Sequence, residues 1–158
     1  MNDFERGFAA EDLFASYHLT NITWATKNQD MYEHWDVQGS LDHSNDIYKF
    51  DVKALKKINK SDNKVQDEFT WVESYNVRGN KGWLQGEADF IAFERVDHWL
   101  LVNREELYQW TKDMIKNNGN KIGKGLYELY QRAGRYDRLT LIRFSDIPKT
   151  IKVKILKC

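Results

Sequence analysis

The 158-residue chain is poor in the residues that cross-link or punctuate a polypeptide: it holds one cysteine, Cys158, and one proline, Pro148. A single thiol excludes a disulfide framework and any zinc site built from cysteines, and it fits a reducing, cytoplasmic setting. No Gly/Ser-rich stretch, repeat or low-complexity segment divides the chain, so a single domain over residues 1–158 is expected. No run approaches the roughly 18 apolar residues of a membrane span. The opening MNDFERGF lacks a basic segment followed by an apolar stretch, so no signal peptide is expected. Net charge is missing too, with 24 Lys and Arg against 24 Asp and Glu.

What is present is apolar and aromatic material: 41% hydrophobic residues, 14% aromatic, six of them Trp. That is too apolar for a disordered chain and enough for a core without staples. The charge, zero in total, is uneven. Residues 1–50 carry three basic and nine acidic side chains, residues 51–111 nine and eleven, and residues 112–158 twelve and four. Basic regions can meet a polyanion while carboxylates elsewhere hold cations, or folding can interleave the charges and leave no patch.

Periodicity predicts the elements. DFERGFAAEDLFASY at 3–17 has apolar residues at helical spacing, with Asp3 able to cap it. EHWDVQ at 33–38 alternates His34, Asp36 and Gln38 against Trp35 and Val37. Residues 46–54 alternate Tyr48, Phe50 and Val52 against Lys49, Asp51 and Lys53. With the polar GSLDHSN between them, 33–54 reads as an antiparallel hairpin. Residues 55–67 read as a basic, polar connection, 69–77 as a strand and RGNKG at 78–82 as a turn. Strands follow at 88–94 and 98–103, the second nearly all apolar and central. An amphipathic helix spans 104–116, with Leu107, Trp110, Met114 and Ile115 inward. A short helix at 124–132 and strands at 138–144 and 149–156 complete an α+β fold, a mixed sheet of five to seven strands flanked by helices.

The candidate site lies in YKFDVKA. Alternation puts Asp51 and Lys53 on one face, about 6–7 Å apart along the strand. If the neighbouring strand pairs, Asp36 converges on the same point. Two carboxylates from different strands suit a hard divalent cation, Mg²⁺ or Mn²⁺, which can activate water and stabilise charge on a phosphate. The Lys53 ammonium can orient or deprotonate that water, or neutralise developing charge.

Asp36, a 14-residue gap, then Asp51-Val52-Lys53 resembles the PD-(D/E)xK nuclease superfamily, which groups restriction-endonuclease-like and Holliday-junction-resolvase-like enzymes. The resemblance covers about 11–104, with ADFIAFE and HWLLV similar to the later core strands. HWDV, FDVKA and GWLQGEADFIAFE together also look like small phage-encoded members. Trp35 precedes Asp36 where the pattern has Pro, and Asp51 stands where Glu is commoner. The resemblance implies a metal-dependent endonuclease acting on DNA, with Asp36, Asp51 and Lys53 catalytic and Asp36 and Asp51 holding the metal. Glu11 in AAEDLFASY would be an auxiliary ligand. It also implies a possible homodimer and, for a phage protein, a host cytoplasm.

Other readings stand beside this one. Lys49, Asp51 and Lys53 could form a solvated face with cross-strand ion pairs, and the chain could be a non-catalytic nucleic-acid- or protein-binding protein on a degenerate nuclease fold. The tripeptide alone is cheap, since Asp62-Asn63-Lys64 repeats it in a polar loop. Lys56, Lys57 and Lys60 follow the motif and are candidates for DNA contact. Gln66 and Glu73 could complete the metal shell or hold a water, or be ordinary polar positions. His34 could touch phosphate or simply bond to a carboxylate. His18, His43 and His98 have no ligand spacing among themselves. Trp71, Trp83 and Trp99 read as core rather than stacking platforms. Gly79, Gly82 and Gly86 form no phosphate-loop pattern.

Overall fold

The computed structural model describes residues 2–42, 44–57 and 65–157. Lys60, His43, Cys158 and the Asp62-Asn63-Lys64 copy of the motif lie outside these residues, as does the Lys57 side chain.

Helix α1, Asp3–His18, opens on Asn2 rather than Asp3. The Asn2 side chain accepts from the Glu5 amide at 2.8 Å, and Glu5 reaches back to the Asn2 amide, a reciprocal cap that satisfies two orphan donors. Strands β1 (Thr20–Trp24), β2 (Val37–Ser40) and β3 (Tyr48–Lys53) follow. Two-residue strands β4 (Lys56–Lys57) and β5 (Val65–Gln66) pair with each other, in the segment expected as a plain connection. Then come β6 (Phe69–Tyr75), β7 (Phe90–Glu94), β8 (His98–Asn103), α2 (Arg104–Asn117), β9 (Arg138–Arg143) and β10 (Lys152–Lys157).

The fold is α+β, as expected. Its main sheet has six strands in the order β1-β2-β3-β7-β8-β10; β3 and β7 run parallel and the other neighbours antiparallel. The two faces carry separate cores. On one, Ala10, Phe14 and Ala15 of α1 pack against Phe50, Val52, Ala92 and Leu101. On the other, α2 and a two-stranded sheet of β6 and β9 bring Leu107, Val72 and Ile142 against Ile91, Phe93, Leu100 and Val102. That β6 and β9 form their own sheet, rather than joining the main one, follows from their pattern. In β6, Val72 is buried and Trp71 exposed, so the strand has only one core face, whereas β7 and β8 are apolar on both. Among the described residues no helix is long and apolar enough to cross a membrane.

Two expectations need correction, and one strand, β1, was not expected. The strand expected at 33–38 begins only at Val37, because 29–33 forms a single π-helical turn capped by His34 in the left-handed region, φ 60°. The clean alternation of 34–38 is lost with it: Trp35 and Val37 enter opposite cores. Edge strand β1, exposed along its length, carried no burial pattern to read. The short helix expected at 124–132 is absent. Tyr127 is left-handed at φ 57°, its amide bonds the Leu141 carbonyl, and Tyr130 exchanges two 2.9 Å bonds with Leu139. Pairing with β9 replaces the helical bonds that the pattern of Leu and Tyr suggested.

Candidate active site

The β2–β3 ladder runs Val37↔Phe50, Gln38↔Lys49 and Gly39↔Tyr48, which sets Asp36 opposite Asp51 one step beyond its end. Backbone bonds fix this: the Asp36 amide donates to the Phe50 carbonyl at 2.8 Å. The Asp36 side chain turns back to accept from the Val52 amide at 2.7 Å. The hairpin expected from sequence therefore brings Asp36 and Asp51 together as anticipated. Across the parallel pair, Asp51 aligns with Ile91 and Lys53 with Phe93.

This face is not solvated. Asp51 is 4% exposed. Its Oδ1 meets the Lys53 ammonium at 3.1 Å, and the carboxyl also shares a hydrogen bond with the Asp36 side chain. Lys53 lies 4.4 Å over the Trp83 ring. Burial raises the Asp51 pKa well above its ordinary value; Lys53 opposes that rise and the Asp36 charge adds to it. Burial works against the Lys53 charge, but Asp51, Asp36 and Glu73 outweigh it and lift the lysine above its usual range. The ammonium therefore stays charged at neutral pH.

Two more carboxyls converge on Asp36. Glu11, from α1, is pushed up to about 8 by burial first, then by the hydrogen bond it shares with Asp36 and by the charges of Asp36, Asp30 and Asp51. Asp30, from the π-helical turn, is raised by burial and by its charge contact and hydrogen bond with Asp36. Like charges this close cannot all ionise unless a cation joins them. Glu73 approaches Lys53 from β6; burial raises its pKa, and Lys53, His34 and the Trp83 backbone pull it down. Gly82 is required here, since a Cβ would lie 2.6 Å from the Glu73 carbonyl and 2.9 Å from its Oε1.

Glu11, Asp36, Asp51 and Lys53 thus meet as the sequence predicted, with Glu73 beside them. Asp30 was not foreseen, although Thr26-Lys27-Asn28-Gln29 carries a signal for its turn. The Thr26 amide donates to Gln29 Oε1 at 2.9 Å and the Gln29 amide to Thr26 Oγ1 at 3.2 Å, a reciprocal cap. His34 does not share a strand face with Asp36; its Nε2 stands 2.9 Å from the Lys81 carbonyl. Gln66 is spent locally, accepting from the Glu68 and Phe69 amides and donating to the Phe69 carbonyl. Lys56 is exposed, three residues beyond the end of β3. Trp99 is core, as expected, whereas Trp71 is 38% exposed and stacks on Tyr130 at 5.6 Å.

A divalent cation fits this donor chemistry: hard carboxylate oxygens and an excess of negative charge around a buried Asp51. Among the described residues no group of three or more His, Cys, Asp or Glu side chains is placed so that it could hold a metal ion. Burial and the neighbouring Asp36 raise the pKa of both Glu11 and Asp30, so protonation is the way this cluster relieves repulsion by itself. Compared with known proteins, the chain matches no family model, no curated sequence and no solved structure.

Proposed function

We propose that this protein is a metal-dependent deoxyribonuclease that hydrolyses DNA phosphodiester bonds, similar in its site to the PD-(D/E)xK superfamily. The observation that carries the reading is the buried Asp51 carboxyl, paired with the Lys53 ammonium and drawn together with Asp36 in one cluster. A strand that merely faced water would not bury Asp51.

Asp36 and Asp51 would hold Mg²⁺ or Mn²⁺, with Glu11 and Asp30 as auxiliary carboxylates. When bound, the cation supplies Lewis-acid polarisation of the scissile phosphate and a more acidic attacking water. The chain's own groups do the rest. Lys53, kept protonated by its three acidic neighbours, serves as a charged donor toward the developing phosphorane oxygens rather than as a base. Trp83 and Glu73 fix its position. The Asp36 bond to the Val52 amide keeps that carboxylate aimed while it changes partners.

The test is cleavage of a labelled branched DNA and a linear duplex with Mg²⁺, with Mn²⁺ and with EDTA, comparing wild type and Asp51→Ala. Metal-dependent cutting that vanishes in the variant supports the reading. No cutting of either DNA, or cutting indifferent to Asp51, favours a non-catalytic binding protein instead.

A further inference from the structure

Beside the carboxylate cluster runs a cleft of about 530 Å³ with two rigid walls, within the roughly 300–1,000 Å³ of small-ligand sites. One wall is Met31, Tyr32 and His34, on the segment that carries Asp30 at one end and Asp36 at the other. The facing wall is the turn 76–81, which leads directly into Gly82 and Trp83 against Lys53. Two features pre-form the cleft. Asn76 Oδ1 accepts from the Arg78 and Asn80 amides, both at 3.0 Å, with Gly79 left-handed at φ 84°. His34, itself left-handed, ties the walls together through the Lys81 carbonyl at 2.9 Å.

The lining has a definite chemistry. Tyr32 is 71% exposed and Met31 49%, presenting an aromatic face and a polarisable side chain to the cleft. Arg78 and Lys81 reach it from the other wall, and among the described residues neither has an ion-pair partner. A flat ring, unpaired cations and amide side chains beside an anionic catalytic cluster suit an unpaired nucleotide, with its base on Tyr32 and its phosphates on Arg78 and Lys81. A base inside an intact duplex offers no free face to Tyr32.

We infer that this cleft binds a single-stranded nucleotide next to the scissile phosphate, so that the substrate is DNA with an unpaired end, flap or branch rather than uniform duplex. This rests on the nuclease reading for its link to cleavage, but its test does not need cleavage. Fluorescence anisotropy in EDTA at pH 6.5 would compare two fluorescein-labelled probes. One is a blunt 20-base-pair duplex and the other the same duplex with a five-nucleotide single-stranded overhang.

The expected result is overhang binding about tenfold or more tighter than blunt binding. Tyr32→Ala should reduce overhang affinity to near the blunt value and leave blunt binding unchanged. Arg78→Ala should weaken overhang binding and lower its salt slope by about one. Equal affinity of the wild type for both probes, or an overhang preference untouched by Tyr32→Ala, overturns the inference. Tyr32 is solvent-facing, so misfolding does not confuse the outcome. Selective overhang binding without metal-dependent cutting would retain this cleft and remove the nuclease reading.

Discussion

Burying a carboxylate costs several kcal/mol unless charge or hydrogen bonds compensate, and for Asp51 the Lys53 ammonium compensates while the neighbouring Asp36 charge works against it. If a cation completes the compensation, Asp51→Asn should lower metal-dependent cleavage at least about a hundredfold. The same change should abolish the rise in melting temperature on adding Mn²⁺, and thermal melts with and without the ion check this. Glu11 gives a second prediction, with a definite sign. Its folded pKa of about 8 lies above the ordinary 4.5. Between those values the folded protein keeps a proton that the unfolded chain has lost. The resulting stability is full below pH 4.5 and lost as pH rises through 8. Melting temperature without metal should fall over that window, Mn²⁺ should restore more of it at pH 8 than at pH 6, and Glu11→Gln should flatten the profile. At this scale Asp51 and Lys53 were legible because strand alternation fixes which side chains share a face, and Asp36 because the hairpin register sets it opposite Asp51. Asp30 was not, because its place depends on a π-helical turn that no simple periodicity encodes.

The elements hold the site by close approach. Gly82 lets β6 and the turn at 83–85 meet without a gap, so Gly82→Ala must push Glu73 and Trp83 away from Lys53. Overpacking of this kind costs typically 1–3 kcal/mol; urea unfolding should register it, and cleavage should fall with it. Most elements were readable: α1, α2, β3 and the strands from β6 onward announce themselves by apolar spacing, whereas the two-residue β4 and β5 do not. The failures have physical causes. Strand β1 lies at an edge with every residue exposed, so no buried face marks it. Residues 124–132 have helix-like spacing, but their amides find partners in β9 instead. The sheet that β6 joins is a tertiary choice, visible only afterwards in its one-sided burial.

For the whole molecule, two cores share the central strands. Phe93, Leu100 and Val102 face one core, and Ala92, Trp99 and Leu101 face the other. Damage to either should therefore spread. Phe14, fully buried between α1 and the sheet, should cost about 3–5 kcal/mol when replaced by Ala. Urea unfolding of wild type and Phe14→Ala should each show one transition, with tryptophan fluorescence and far-ultraviolet circular dichroism coinciding. Two separate transitions would mean that the cores unfold independently. The α+β class and the mixed sheet were legible at this scale. The fate of the charge asymmetry was not. In the basic C-terminal third, Arg132 pairs with Asp137 and Arg143 with Glu68, while Lys112, Lys124 and Arg138 lie over tyrosine rings. Apart from Lys112 over Tyr108, one turn away in α2, these pairings join residues far apart in sequence or in loops, which a count along the chain cannot register.

The central claim is that the carboxyls around Asp36 form a divalent-cation site now neutralised by protons. Isothermal titration of Mn²⁺ at pH 7.5, in two buffers of different ionisation enthalpy, tests it most directly. The account predicts binding accompanied by release of about one proton, since metal must displace the proton held by Glu11, and loss of that binding in Asp51→Asn. No binding, or binding unchanged by Asp51→Asn, would contradict it.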